Sequence, residues 1–261
     1  MTIDDLTAKH IAAVGAKEKL ASVRNLFLLG DAGFKIHGSA AQLAGRAAIL
    51  SDRARVTWGL TFQSNEYPQD QFGFDGKKVV VRRTSPEGRS LLTQFLNDNR
   101  KLLEDGILGG ALSRTWILLN NGGKGRIKVA GTKKLDGRET IVVDYNPKGA
   151  DFLTKLYFDA ETFRHVRSEH TVAQSAVQGP SMDASAGQAG SLTRLTEVFS
   201  DFKKMGDLML PTAYKITYSR SGVGNVSTQA GSAREVEWSF RFTDFAVDQD
   251  LADDAFAIST D

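Results

Sequence analysis

Along most of the chain, apolar side chains recur at every second position, the period of a strand with one buried face. The clearest case is 56–62, where Val56, Trp58, Leu60 and Phe62 share one phase and Thr57, Gly59 and Thr61 the other. Val236, Trp238, Phe240 and Phe242 repeat the pattern near the C-terminus. Turn residues punctuate these runs: Asp75-Gly76 between Phe72-Gly73-Phe74 and Val79-Val80-Val81, Asp136-Gly137 between 126–132 and 139–145, and Asp159 to Thr162 between 152–158 and 163–172. Strands are also expected over 195–204, 208–220 and 234–245, with a bent one starting at Asn25. About ten to eleven strands result, and successive hairpins make them an antiparallel meander.

Two stretches break this period. Over 85–110, Leu91, Leu92, Phe95, Leu96, Leu102, Leu103, Ile107 and Leu108 fall three, four and seven apart, which predicts an amphipathic helix. Ser85 would cap it, Pro86 would occupy its first turn and Gly106 would end it. Over 4–23, Leu6, Ile11, Val14 and Leu20 predict a second helix, broken at Gly15. Asn121 to Gly125 lacks the spacing of a phosphate loop and reads as a hairpin turn. The stretch 174–190 is poor in large apolar residues and reads as a long mobile loop inside a single domain spanning 1–261.

Composition narrows the chemistry. The chain has 261 residues, 41% of them apolar, and 33 basic against 31 acidic residues give a net charge of +2. This balance carries no electrostatic footprint for nucleic acid. With no cysteine, disulfides, thiol catalysis and thiolate metal sites are excluded. No apolar run approaches the ~18 residues of a membrane span, and 1–5 lack the basic and apolar regions of a signal peptide. Of the four histidines, His165 and His170 lie five apart on one expected strand and so should face opposite sides. Glu197 and Asp201 should share a solvent-facing strand surface. No catalytic set, metal set or cofactor motif assembles, and the protein is expected not to be an enzyme.

The apolar strand faces are heavy in aromatic residues: Trp58, Phe62, Phe72, Phe74, Trp116, Phe152, Phe158, Phe199, Trp238, Phe240 and Phe242. They either fill a dry core or line a hollow. Two helices are little cover for so broad a sheet, and an apolar hollow left under them would suit a lipid.

Three segments resemble the LolA-like family of periplasmic lipoprotein and lipid carriers, which includes outer-membrane lipoprotein-sorting proteins. They are the helical opening His10 to Leu20, the pair Asp136 to Thr140 with Lys155 to Thr162, and Glu197 to Gly206 followed by Leu210-Pro211. The resemblance implies a curved, half-open antiparallel β-barrel with an N-terminal helix and a mid-chain helical lid over its concave face. It further implies a non-enzymatic carrier that holds a lipid or lipoprotein acyl chain and exchanges it with inner- or outer-membrane loading and accepting proteins. Periplasmic localisation follows, with the signal peptide removed. On that reading the cavity and lid residues are Trp58, Phe62, Phe72, Phe74, Leu92, Phe95, Leu96, Leu103, Trp116, Phe158, Trp238, Phe240 and Phe242. The family's lid-contacting arginine precedes a proline, and neither Arg53 nor Arg55 does. The alternative is an envelope sensor on the same fold that binds lipid or protein and signals to a partner.

Overall fold

The computed structural model describes residues 1–40, 42–85, 88–120, 125–174, 190–223 and 234–258. Twelve strands form one antiparallel sheet: β1 (Asn25–Ile36), β2 (Gln42–Asp52), β3 (Val56–Phe62), β4 (Gln69–Phe74), β5 (Val79–Val81), β6 (Arg126–Leu135), β7 (Arg138–Asn146), β8 (Phe152–Asp159), β9 (His165–Gln174), β10 (Gly190–Met205), β11 (Leu208–Val223) and β12 (Arg234–Val247). Their order is β5-β4-β3-β2-β1-β12-β11-β10-β9-β8-β7-β6. The sheet is open, with β5 and β6 at its two edges; every other pair of consecutive strands is adjacent, and β1 pairs with β12. The first and last strands meet in the middle, and the connection from β5 to β6 must travel from one edge to the other.

The expected hairpins at Asp75-Gly76, Asp136-Gly137 and Asp159–Thr162 are present. The strand absent from the sequence reading is β2, whose Ala44, Gly45, Ala47 and Ala48 give too weak an alternation to read. Trp116, grouped from the sequence with the apolar strand faces, instead precedes a short 3₁₀ turn, Ile117–Leu119. The mobile loop read over 174–190 falls almost entirely outside the described residues, as does most of the turn read at 121–125.

The sheet curves strongly. Trp58 on β3 and Tyr214 on β11 are four strands apart in the order, about 19 Å in a flat sheet at ~4.8 Å per strand, yet their ring centroids lie 5.9 Å apart. All helices sit on the concave side. The N-terminal helix is divided at Gly15, as its sequence predicts, into α1 (Ile3–Val14) and α2 (Lys17–Ser22). Thr2 and Asp5 form a capping box on α1, and Leu6, His10 and Val14 are its buried side.

The β5–β6 connection carries the second helical stretch. Instead of one helix over 85–110 there are α3 (Leu91–Asp98), α4 (Lys101–Glu104) and the 3₁₀ turns Gly110–Leu112 and Ile117–Leu119. The cap is Ser90, whose hydroxyl accepts from Thr93 N–H, while Ser85 sits in an isolated bridge with Gly88 and Pro86 is outside the described residues. α3 ends at Asn99, whose backbone N–H and side-chain amide both donate to Phe95 O, at 3.0 and 2.8 Å.

Gly106 ends this helical stretch in the left-handed region, as expected. Beyond it 107–118 is buried without a break. Gly109 and Gly110, at φ +80 and +51, let the backbone lie directly on the sheet. A Cβ on Gly109 would stand 2.6 Å from Trp58 on β3, and one on Gly110 2.6 Å from His165 Nδ1 on β9. Two consecutive residues thus touch strands six steps apart in the order. Gly110→Ala is expected to cost about 1–3 kcal/mol from the positive φ alone and to lower the melting temperature by several degrees in calorimetry; an unchanged transition would show that this contact is loose.

Candidate functional site

The site is the concave face together with the described residues of the segment that crosses it, 82–85 and 88–120. The inward phases of the strands supply an almost continuous aromatic belt. Phe72 stacks on Trp58 at 5.8 Å, Trp58 leads to Tyr214, and Tyr214 meets Phe199 at 5.0 Å and Phe240 at 5.2 Å. Phe240 stacks with Phe242 at 6.3 Å, Phe199 meets His165 at 4.6 Å, and His165 lies against Phe158 and under Trp116, which stacks on it at 4.8 Å. A second cluster at one end brings Phe34, Phe62, Tyr67 and Trp238 together.

All thirteen residues singled out from the sequence are therefore on one side of the sheet or on the segment facing it. Leu92, Phe95 and Leu96 are the buried side of α3, and Leu103 that of α4. Twelve of them are buried and Phe74 is half-buried. In this closed arrangement the side chains fill the space against one another.

α3 packs on β4 and β5, and grooves run along its two flanks. One, about 410 Å³, is lined by Phe34, Ile36, Tyr67, Leu91, Val236 and Trp238 among others. The other, about 740 Å³, is lined by Phe95, Val172, Tyr218 and Arg220 with Gln94 and Asp98 of the helix. A third groove of about 700 Å³ lies between α1 and β6.

Polar groups fasten the crossing segment to this apolar bed, and two carboxylates do most of it. Glu197 on β10 is fully buried and accepts from Gly109 N–H at 2.7 Å, Tyr214 OH at 2.6 Å and His170 Nε2 at 2.7 Å. Thr154 closes the chain on His170 Nδ1 at 2.9 Å. This overturns the expectation that Glu197 and Asp201 form a solvent-facing pair. Glu197 is in phase with Leu195 and Phe199 and so points inward, whereas Asp201 is exposed, its backbone turned to φ +52 within an unshifted register.

Nor do His165 and His170 face opposite sides. Val166 is an extra residue opposite the Tyr157/Phe158 step, and this bulge resets the alternation so that both imidazoles are buried on the concave face. Burial drives the His165 pKa well below the ordinary value, and its Nδ1 has no partner.

Asp70, on β4 in phase with Phe72 and Phe74, is the second carboxylate. It accepts from Tyr67, Thr84 and Ser90 hydroxyls at 2.5, 2.6 and 2.6 Å, and Ser90 is the cap of α3. Burial pushes its pKa up to about 6 against the lowering effect of those three donors.

On the other side, His10 of α1 accepts from Trp116 Nε1 at 2.9 Å, so its Nδ1 carries the proton given to Phe163 O at 2.9 Å. Arg114 of the crossing segment donates to Leu20 O at 2.9 Å, and Arg53 donates to the next carbonyl, that of Ala21. Two guanidinium groups thus cap the end of α2. Among the described residues no three of His, Asp and Glu gather as a metal-binding set.

Asp70, Tyr67 and Tyr214 escaped the sequence reading, Glu197 was assigned to the solvent side, and His10 was given no role in the site. The signal for the two carboxylates was their phase, since each stands two positions from inward aromatic residues.

No family model matches the sequence, and no curated protein matches it. Solved structures similar to the chain include a DUF1329 family protein from Desulfovibrio piger, 9% identical, covering 97% of this chain and 96% of that one with a TM-score of 0.45. A putative outer membrane lipoprotein-sorting protein domain from Vibrio parahaemolyticus is 11% identical, with 97% and 95% covered and a TM-score of 0.47. The Mycobacterium tuberculosis lipoprotein LppX is 12% identical, with 64% and 88% covered and a TM-score of 0.23. One of these neighbours bears the outer membrane lipoprotein-sorting description.

Glu197→Leu is expected to cost about 3–5 kcal/mol, because it strands the Gly109 amide, Tyr214 and His170 in the interior. Glu197→Gln keeps a complete hydrogen-bond set by a change of His170 tautomer and should cost far less; denaturant melts of the two variants distinguish them. His10 is held neutral by burial, its pKa lowered to about 4. A lowered histidine pKa contributes stability above the ordinary value of 6.5 that is lost as pH falls from there towards 4. That loss is about 3 kcal/mol at 1.4 kcal/mol per unit. His10→Gln should flatten this part of the pH–stability profile.

Proposed function

We propose that the protein is a non-enzymatic carrier of the cell envelope, a single domain over 1–261 that holds a lipid or lipoprotein acyl chain between the concave sheet face and the crossing segment. The observation that carries this reading is the cover at the sheet's aromatic end. There α3, a two-turn amphipathic helix, turns Leu92, Phe95 and Leu96 onto the sheet, with a groove on each flank, one walled by Phe34, Ile36, Tyr67, Leu91, Val236 and Trp238 and the other of mixed polarity. Displacing it offers an acyl chain the contacts that Leu92, Phe95 and Leu96 now make.

Apolar burial is sufficient for affinity. At about 0.8 kcal/mol per CH₂, a fourteen-carbon chain gains on the order of 10 kcal/mol before ordering costs. The ligand-contacting set is the one read from the sequence, Trp58, Phe62, Phe72, Phe74, Leu92, Phe95, Leu96, Leu103, Trp116, Phe158, Trp238, Phe240 and Phe242, extended by Phe34 and Tyr218. The periplasm is the compartment such a carrier requires, and a protein that loads it and one that accepts from it complete the cycle.

Displacement of a fluorescent fatty acid by unlabelled acyl chains tests the reading. The wild-type protein is expected to bind at micromolar concentration. Phe95→Asp with Leu96→Asp should weaken binding at least tenfold while the β-sheet circular dichroism is retained. Undiminished binding in the variant would remove α3 from the site, and global unfolding would make it ordinary core.

A further inference from the structure

Asp70 is out of keeping with a site built for acyl chains. It is 1% exposed, and its three hydroxyl donors tie together the β3–β4 turn through Tyr67, the start of the crossing segment through Thr84 and the cap of α3 through Ser90. Tyr67 in turn accepts from Trp238 Nε1 of β12 at 2.7 Å, and Thr84 Oγ1 accepts from Ser90 N–H at 2.7 Å. The N-terminal end of α3 is therefore held by one carboxyl group.

A fourth hydroxyl makes the network complete in either protonation state. Thr93 Oγ1 lies 3.3 Å from Thr84 Oγ1 and 3.0 Å from Ser90 Oγ, and is itself buried. When Asp70 is ionised, all three donors point at it. When Oδ1 takes up a proton, it donates to Thr84 Oγ1, and the Thr84 hydrogen turns to Thr93. Tyr67 and Ser90 go on donating to Oδ2.

Among the described residues no cation pairs with Asp70. Tyr67 touches it and stays neutral, its own pKa raised by burial. Glu66 and Arg89 are exposed on the rim of the adjoining groove, Arg82 and Arg83 follow β5, Asp98 ends α3, and Glu237 of β12 pairs with Lys215.

We infer that Asp70 with the hydroxyls of Tyr67, Thr84, Ser90 and Thr93 forms a proton-responsive latch on α3, in which the neutral acid holds the helix shut and the carboxylate lets it open. The sign follows from linkage. Opening returns Asp70 to water and to its ordinary value of 3.8, whereas the closed form holds the proton up to about 6. Protons therefore bind the closed form more tightly, and the hold is lost as pH rises through that window. The consequence for cargo, faster acyl-chain exchange at neutral pH than at pH 5, rests on the carrier reading; the latch does not.

The test is amide hydrogen exchange of α3 in the ligand-free protein, corrected for intrinsic rates, at pH 5 and pH 7.5. The opening equilibrium of α3 should be about tenfold more favourable at the higher pH. In Asp70→Asn it should be flat, because the amide oxygen accepts from Tyr67 and Ser90 while the amide nitrogen donates to Thr84. Thr93→Val removes the acceptor that completes the neutral network and should move the wild-type midpoint to lower pH.

Equal opening at both pH values in the wild type, an unaltered profile in Asp70→Asn, or an unmoved midpoint in Thr93→Val would each overturn the latch. Uptake of a fluorescent fatty acid at the two pH values forms the second arm. The expected exchange profile with no uptake upholds the latch and sinks the carrier reading, and uptake with a flat exchange profile does the reverse.

Discussion

One topological constraint shapes the molecule: the chain must pass from β5, at one edge of a twelve-stranded sheet, to β6 at the other. Every other connection joins neighbouring strands, and β1 with β12 closes the middle. Because the sheet curves until β3 and β11 place their aromatic rings in contact, the shortest route between the edges lies through the hollow. The segment that covers the concave face is thus a covalent consequence of the strand order. Buried chain in that position needs partners for its backbone groups. Glu197 for the Gly109 amide, Ser51 for Arg114 N–H and the 3₁₀ turns for Leu112 and Leu119 supply them.

The fastening is uneven along the segment. From Gly106 to Leu118 it is buried residue after residue, pinned by Glu197, His10 and the Arg114 contact with α2. α3, by contrast, has exposed Gln94 and Asp98 and a half-buried Asn97, grooves on both sides, and one strong polar attachment at its N-terminus through Asp70. A cover anchored deeply at one part and lightly at the other opens by swinging the light part. The lightly held part lies at the Phe34–Tyr67–Trp238 end of the sheet, and the deeply held part at the Trp116–His165 end.

Much of the architecture was readable from period alone. Val56–Phe62 alternates so regularly that its strand bounds come out unchanged, and Asp-Gly dipeptides place two hairpins. The apolar face of α3 was equally plain. What period cannot carry is a residue whose polarity contradicts its position. Asp70 and Glu197 stand in phase with Phe72 and Phe199, and a reading that sorts polar residues outward must miss them. The bulge at Val166 is invisible for the same reason: one inserted residue restores His165 and His170 to a common face, and no composition signal marks it. The cap moved from Ser85 to Ser90 because Ser90 serves two partners at once, the Thr93 amide and the Asp70 carboxylate, and the second of these lies twenty residues away.

The account stands or falls on whether the concave face exchanges its own side chains for an acyl chain. The most direct measurement is solvent extraction of the protein, purified without detergent from a membrane-containing lysate, followed by mass spectrometry of the extract. An acyl-bearing molecule recovered in near-equimolar amount is the predicted result. Protein that yields none, while remaining folded and failing to take up added fatty acid, would show that the segment across the hollow is simply its core.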